Sequence, residues 1–240
     1  MNSTPSPRPL LEPRDVRLSL PGAELEGSLT LPDETPGLVL FAHGGGSSRH
    51  SPRNRYVAEM LQSAGLGTLL MDLLTHDEDA VDRFTRQFRF DIDLLADRLS
   101  GAIDWVERQP ETRELLIGLF GASTGAAAAL QAAAARPSRI RAVVSRGGRP
   151  DLAGEALAHV RAPTLLIVGA DDTPVIPLND AALRQMAAPA EMRLVPGASH
   201  LFEEPGTLAA ASALARDWFV RHFAREANSG SSGAVEEKIG

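Results

Sequence analysis

Ser123 stands in the run Gly121-Ala122-Ser123-Thr124-Gly125, between an apolar stretch and an alanine-rich one. A serine hydroxyl is a weak nucleophile until a base takes its proton. On a sharp turn from strand to helix, flanked by glycines, it becomes the exposed attacking group of acyl-transfer chemistry. Gly121 and Gly125 carry no side chains to collide with the adjoining strand and helix. The helix start also directs its free amides and positive dipole end toward the reacting centre. A serine capping an ordinary helix shows the same residue type. The glycine-x-serine-x-glycine spacing at a strand-to-helix junction favours the nucleophile.

Chains with such an elbow place an acid and then a histidine after the serine. Of the six histidines, His43, His50 and His76 precede Ser123, His159 precedes any suitable acid, and His222 lies in the last helical stretch. His200, in the loop PGASHLF, is therefore the expected general base. The acid belongs at the end of TLLIVGADD, where the glycine-x-x-aspartate spacing from Gly169 selects Asp172, with Asp171 the alternative. Asp172 would hold the imidazole in the right tautomer and stabilise the imidazolium formed during attack. The oxyanion of a tetrahedral intermediate needs amide donors. One is expected from Thr124, directly after the nucleophile, and one from His43-Gly44-Gly45-Gly46, with Gly45 favoured and Gly46 second. Glycines there allow close backbone approach to a substrate.

Arginines gather near this predicted rim, at Arg49, Arg53 and Arg55 and again at Arg146 and Arg149. Arg49 and Arg146 are candidates for binding an anionic part of a substrate, since guanidinium pairs with carboxylate or phosphate. Salt bridging to the acidic stretch Asp77 to Asp82 competes with that reading. His76, Asp77, Glu78 and Asp79 fit no closed zinc spacing and read as a solvated loop, so no metal is expected. The chemistry needs no organic cofactor.

The elements that must position these residues alternate between strand and helix. Val16–Leu20 and Leu25–Leu31 read as an antiparallel hairpin about Pro21-Gly22. Continuous apolar runs at 37–42, 67–73, 115–120, 140–145 and 164–169 read as buried parallel strands, with a short strand at 192–195. Helical spacing marks 52–64, 90–108, 125–135, 179–187 and 207–225, with a short helix near 152–160. This implies an α/β architecture, a mostly parallel sheet of about eight strands with helices on both faces. Ligands in such sheets bind beyond the carboxyl ends of the strands, where the candidate residues fall. Residues 1–14 read as a disordered lead-in, 15–225 as one domain, and 226–240 as a flexible tail.

The 240 residues carry a net charge of −7, against the basic surface that nucleic-acid binding requires. The absence of cysteine excludes disulfides and a thiolate nucleophile. Neither a signal-peptide core nor a membrane-length apolar run is present, so a cytoplasmic protein without membrane partners is expected. Oligomeric state leaves no signal in the sequence.

Taken with these motifs, the segments FAHGGGSSRHSPRNRYVAEML, MDLLTHDEDAVDRFTRQFRFDI and SRGGRPDL resemble the α/β-hydrolase superfamily, within it the dienelactone hydrolase-like group. The resemblance runs from about Gly37 to Phe223. It is similar to members of which some are joined to a phosphoribosyltransferase-like domain. Dienelactone hydrolases proper use a cysteine where this chain has Ser123, which points away from dienelactone cleavage toward general carboxylester hydrolysis. The resemblance implies a serine hydrolase acting on carboxylic esters through an acyl-enzyme; the rim arginines add the expectation of a small, anionic substrate. Thioester cleavage, acyl transfer, or a non-catalytic ligand- or partner-binding role on the same fold are the alternatives. Caps of this superfamily usually sit between the sixth and seventh strands. Only a short segment separates Ser145 from Pro163, so no large cap domain is expected.

Overall fold

The computed structural model describes residues 12–229. In chain order the elements are β1 (Arg14–Leu20), β2 (Ala23–Thr30), β3 (Gly37–Ala42), α1 (Pro52–Ser63), β4 (Gly67–Met71), α2 (His76–Thr85), α3 (Ile92–Arg108) and β5 (Leu116–Ala122). There follow α4 (Thr124–Ala135), β6 (Ile140–Arg146), β7 (Thr164–Gly169), α5 (Ile176–Leu183), β8 (Ala190–Val195) and α6 (Thr207–Ser229). One eight-stranded sheet runs β1-β2-β4-β3-β5-β6-β7-β8. β1 pairs antiparallel with β2 and β2 antiparallel with β4; every other pairing is parallel.

Burial explains the sequence patterns. β3, β4 and β7 are buried along their whole length, because helices cover both faces and no position turns to water. On one face, Leu95, Leu99, Ile103 and Val106 of α3 join the alanines of α4 over the sheet. On the other, Val57 and Leu61 of α1 pack with Ala211, Trp218 and Phe219 of α6. The eight-stranded α/β-hydrolase architecture is thus present. Between β6 and β7 there is only a kinked 3₁₀ stretch, Pro150–His159, bent at Gly154. No cap domain occupies that position.

Several boundaries differ from the sequence-based expectation. The stretch His76–Asp79 is not a solvated loop but the first turn of α2. Thr75 Oγ1 accepts the Glu78 amide at 3.2 Å, and the Glu78 carboxylate accepts the Thr75 amide at 2.8 Å. This reciprocal capping box satisfies two otherwise orphan donors, and the three acids of the first turn suit the helix dipole. α5 begins at Ile176 rather than 179, since Pro177 is tolerated in a first turn where its missing donor has no partner to lose. β1 starts at Arg14, inside the expected lead-in, and α6 continues to Ser229, past the expected tail boundary. The rest of both terminal segments lies outside the described residues. No helix among the described residues is long and apolar enough to cross a membrane.

Candidate active site

Ser123 links β5 to α4 with φ 51° and ψ −122°, a conformation that costs a residue bearing a Cβ. Two backbone contacts hold it there. The Ser123 amide donates to the Arg146 carbonyl at 3.4 Å, and the Ser123 carbonyl accepts the Arg149 amide at 3.0 Å. The loop after β6 therefore clamps the turn from the side. The glycine spacing has a steric cause. A Cβ on Gly121 would run into the backbone of Ala126, and one on Gly125 into the carbonyls of Ala42 and His43. Only glycines let α4 seat against β3 and β5 closely enough to expose Ser123.

The loop after β7 carries the acid. The Asp172 amide donates to the Gly169 carbonyl at 3.1 Å, a tight turn that gives the glycine-x-x-aspartate spacing its meaning. Asp172 is buried and its Oδ2 lies 2.7 Å from His200 Nδ1, whereas Asp171 is exposed. With Nδ1–H donating to Asp172, Nε2 of a neutral ring is the acceptor nitrogen. The His200 loop is itself constrained. Gly169 has no Cβ because the Ala198 carbonyl packs against it, and the Ser199 amide donates to Glu204 at 3.0 Å. Phe202, buried, sits at φ 57° to bring the chain back over the sheet. Ser123 and His200 open onto one cleft of about 250 Å³, lined also by Gly44, Gly45, Asn54 and Arg146.

The glycine loop departs in detail from expectation. The Gly45 amide does not stand open: it donates to Thr124 Oγ1 at 2.9 Å. The two residues expected to share an oxyanion are thus brought together, joined by their own hydrogen bond. The Thr124 amide opens α4 and has no intrahelical acceptor. Gly44 runs closest to the nucleophile; a Cβ there would lie 3.1 Å from Ser123 Cβ. Gly46, with φ 74°, lies beneath Arg89.

Arg89 and Asp82 were not singled out by sequence reasoning. Asp82, at 1% side-chain exposure, accepts the amides of Phe88 and Arg89 at 2.8 and 3.0 Å and Arg89 Nε at 2.6 Å. Burial raises the Asp82 carboxyl pKa, but these donors outweigh it and hold the group below the usual carboxylate range. The pair fixes Arg89 against Gly45 and Gly46 from outside. The Thr-x-x-Glu signal at Thr75 would have revealed the helix that presents Asp82; no spacing rule links Arg89 to a loop forty residues earlier.

His43 fixes the same loop from inside. Its Nδ1–H donates to the Gly44 carbonyl at 2.9 Å and its Nε2 accepts the Leu73 amide at 3.2 Å. Burial lowers its pKa, against the opposing pull of the Gly44 carbonyl, Asp72 and Asp79. The folded state therefore resists protonation that the unfolded chain accepts at its ordinary value. Stability from this site is complete above about pH 6.5 and falls as pH drops below it, by at most about 1.4 kcal/mol per pH unit. Tm measured from pH 7.5 to 5.5 should decline, and His43→Asn should flatten that decline. An unchanged slope in the variant would contradict the assignment.

The two candidate anion-binding arginines separate. Arg49 is engaged by Asp72, through its amide at 2.8 Å and its guanidinium, and by Glu26 at 2.7 Å. Burial alone would make it less basic; the two carboxylates reverse that and raise its pKa. It is a structural tie between β2, β4 and the glycine loop, not a free anion ligand, and its partners lie outside the acidic stretch 77–82. Arg149 pairs with Asp151 at 2.8 Å. Arg146 is different: it is 7% exposed, lines the Ser123 cleft and has no carboxylate partner among the described residues.

Comparison with known proteins identifies the family and the fold. Residues 25–225 match the family model described as "Dienelactone hydrolase family". A crystal structure of dienelactone hydrolase from Anabaena variabilis is 57% identical, with TM-score 0.88 over 89% of this chain and 99% of that one. Est1E from Butyrivibrio proteoclasticus, 16% identical, shares the fold with TM-score 0.73 over 88% of this chain and 99% of its own. Two Mycobacterium tuberculosis proteins, provisionally named phosphoribosyl transferases, are 52% identical over 222 residues. That match covers 92% of this chain and 49% of theirs, so the chain spans about half the length of these curated relatives. With the family model spanning most of the sheet and every residue of the Ser123 cleft, the chain belongs to the dienelactone hydrolase family, a family of hydrolases.

Proposed function

We propose that the chain is a serine hydrolase that cleaves carboxylic esters through an acyl-enzyme. The observation that carries this reading is the His200–Asp172 hydrogen bond of 2.7 Å behind a ring that opens, with strained Ser123, onto one cleft. Ser123 Oγ attacks the ester carbonyl while His200 Nε2 takes its proton. Asp172 keeps the ring in its Nδ1–H tautomer and stabilises the imidazolium. The oxyanion takes the Thr124 amide and replaces the Thr124 hydroxyl as acceptor for the Gly45 amide. The imidazolium then protonates the leaving alcohol. Water, activated by His200, releases the carboxylic acid and restores Ser123.

The name carried by the mycobacterial relatives describes proteins about twice as long. For the segment in hand, the elbow and the imidazole–carboxylate pair favour hydrolysis.

Asp172→Asn tests the assignment. An amide can accept Nδ1–H through its oxygen, or present its NH₂ to the ring and select the wrong tautomer. Loss of about 10⁴-fold in kcat on a simple acyl ester is expected, with KM little changed. A variant within threefold of wild type would remove Asp172 from the mechanism.

A further inference from the structure

The segment SRGGRPDL, residues 145–152, forms a strap that meets the nucleophile turn and the His200 loop. Ser123 is bracketed by the Arg146 carbonyl and the Arg149 amide. The Gly147 amide donates to the Ile167 carbonyl of β7 at 2.8 Å, and a Cβ on Gly147 would run into the His200 carbonyl. A Cβ on Gly148 would collide with Ser145 Oγ and with the Ala126 methyl at the start of α4. The strap is therefore packed tightly between the catalytic loops, and glycines make that possible.

Asn179 of α5 ties this strap to the acid loop. It is fully buried, and its Nδ2 donates to the Gly148 carbonyl at 3.1 Å and to the Val175 carbonyl at 3.0 Å. Both acceptors are carbonyls, so only the NH₂ of the amide can face them. Oδ1 is buried with no hydrogen-bond partner among the described residues. A buried oxygen left unpaired costs stability, which an apolar side chain of the same size would avoid. What asparagine adds at this position is therefore the two donated bonds. They link acid to nucleophile. The Val175 and Ile176 amides donate to the Asp172 carbonyl at 3.0 and 3.3 Å, Asn179 bridges Val175 to Gly148, and the Arg149 amide donates to the Ser123 carbonyl at 3.0 Å. A path of hydrogen bonds thus joins the backbone of Asp172 to that of Ser123 without passing through His200.

We infer that Asn179 is a positioning residue, which sets the spacing between Ser123 and Asp172 by bracing the Gly147–Arg149 strap against the acid loop. The inference rests on the reading of Ser123, His200 and Asp172 as the triad. The imidazole has to reach both ends at once, and a misplacement of about 1 Å can cost about a hundredfold in rate. Asn179 does not line the Ser123 cleft, so its loss should fall on kcat rather than on KM.

The test uses three variants of the full chain. In Asn179→Thr the hydroxyl can still bond the Val175 carbonyl four residues back, but the shorter side chain cannot span to Gly148. Asn179→Leu removes both donors. Ala182→Gly, buried on the same helix, loosens α5 without removing a bond to the strap. Turnover of a simple acyl ester is measured well below each Tm, beside amide hydrogen exchange of the peptide containing Arg149. Both Asn179 variants should lose about ten- to a hundredfold in kcat with KM little changed, and exchange at Arg149 should speed up. Ala182→Gly should lower Tm yet keep kcat and the protection of Arg149. A kcat for Asn179→Thr within about threefold of wild type, unchanged protection of Arg149, or an equal loss of kcat in Ala182→Gly would overturn the proposal. If Asn179→Leu does not fold, Asn179→Thr still decides. Lost protection in Asn179→Thr together with a wild type that turns over no ester would leave the brace standing and remove the hydrolase reading.

Discussion

Ser123→Gly is expected to abolish turnover and, at the same time, to stabilise the protein. The loss in kcat should be about a millionfold, the scale seen when the nucleophile of a serine triad is removed. The gain follows from the backbone. Ser123 is held at φ 51° and ψ −122°, which glycine adopts without strain. Relief of such strain is worth about 1–3 kcal/mol, or roughly 2–4 °C in Tm for each kcal/mol at this domain size. Ser123→Ala should lose activity equally and gain nothing, because alanine keeps the Cβ. A merely structural serine predicts the reverse for stability. A lower Tm for Ser123→Gly than for Ser123→Ala would contradict the account, as would retained turnover in either.

Gly125→Ala is expected to be the most destabilising single-methyl change at the site. The new methyl would meet the backbone carbonyls of Ala42 and His43, and a carbonyl fixed in a central strand cannot rotate aside as a side chain can. The sheet and α4 must separate or the helix start must tilt. Either costs about 3 kcal/mol or more, roughly 6–12 °C in Tm. Gly154→Ala provides the contrast. Gly154, unlike Gly125, has positive φ, at 57°, and nothing lies within 4 Å of its Cβ position. Backbone strain alone, about 1–2 kcal/mol, should follow there, with turnover unaffected. Gly125→Ala should also displace Ser123 and lower kcat, since the elbow and the helix start are one turn. Equal Tm losses in the two variants would show that the close approach of α4 to β3 is not what the glycine serves.

What could be read before the structure follows from which interactions are local. The sheet was legible because buried parallel strands are continuous apolar runs, and β3, β5 and β7 stand out for that reason. Gly121 and Gly125 mark a close approach that leaves a trace in residue type. Asp172 was separable from Asp171 because a tight turn at Gly169 fixes the offset. The acidic stretch after Leu74 was misread because its charge suggested solvation, while the Thr75–Glu78 box that makes it a helix is a four-residue signal inside it. Long-range choices left no trace. Arg49 and Arg146 look alike in sequence, yet one finds Asp72 and Glu26 and the other hydrogen-bonds Asn54 and packs against Phe120 and Phe202. The hydrogen bond from Gly45 to Thr124 Oγ1 joins residues seventy-nine apart and was equally invisible.

The central claim is that Ser123 is an activated nucleophile. Its most direct test is treatment of the full chain with a fluorophosphonate probe, followed by peptide mass mapping. A serine hydroxyl deprotonated by His200 attacks phosphorus and keeps the adduct. The account predicts stoichiometric labelling confined to the peptide containing Ser123, and none in Ser123→Gly. Labelling elsewhere, or an unlabelled Ser123 under conditions that label a control serine hydrolase, would contradict it.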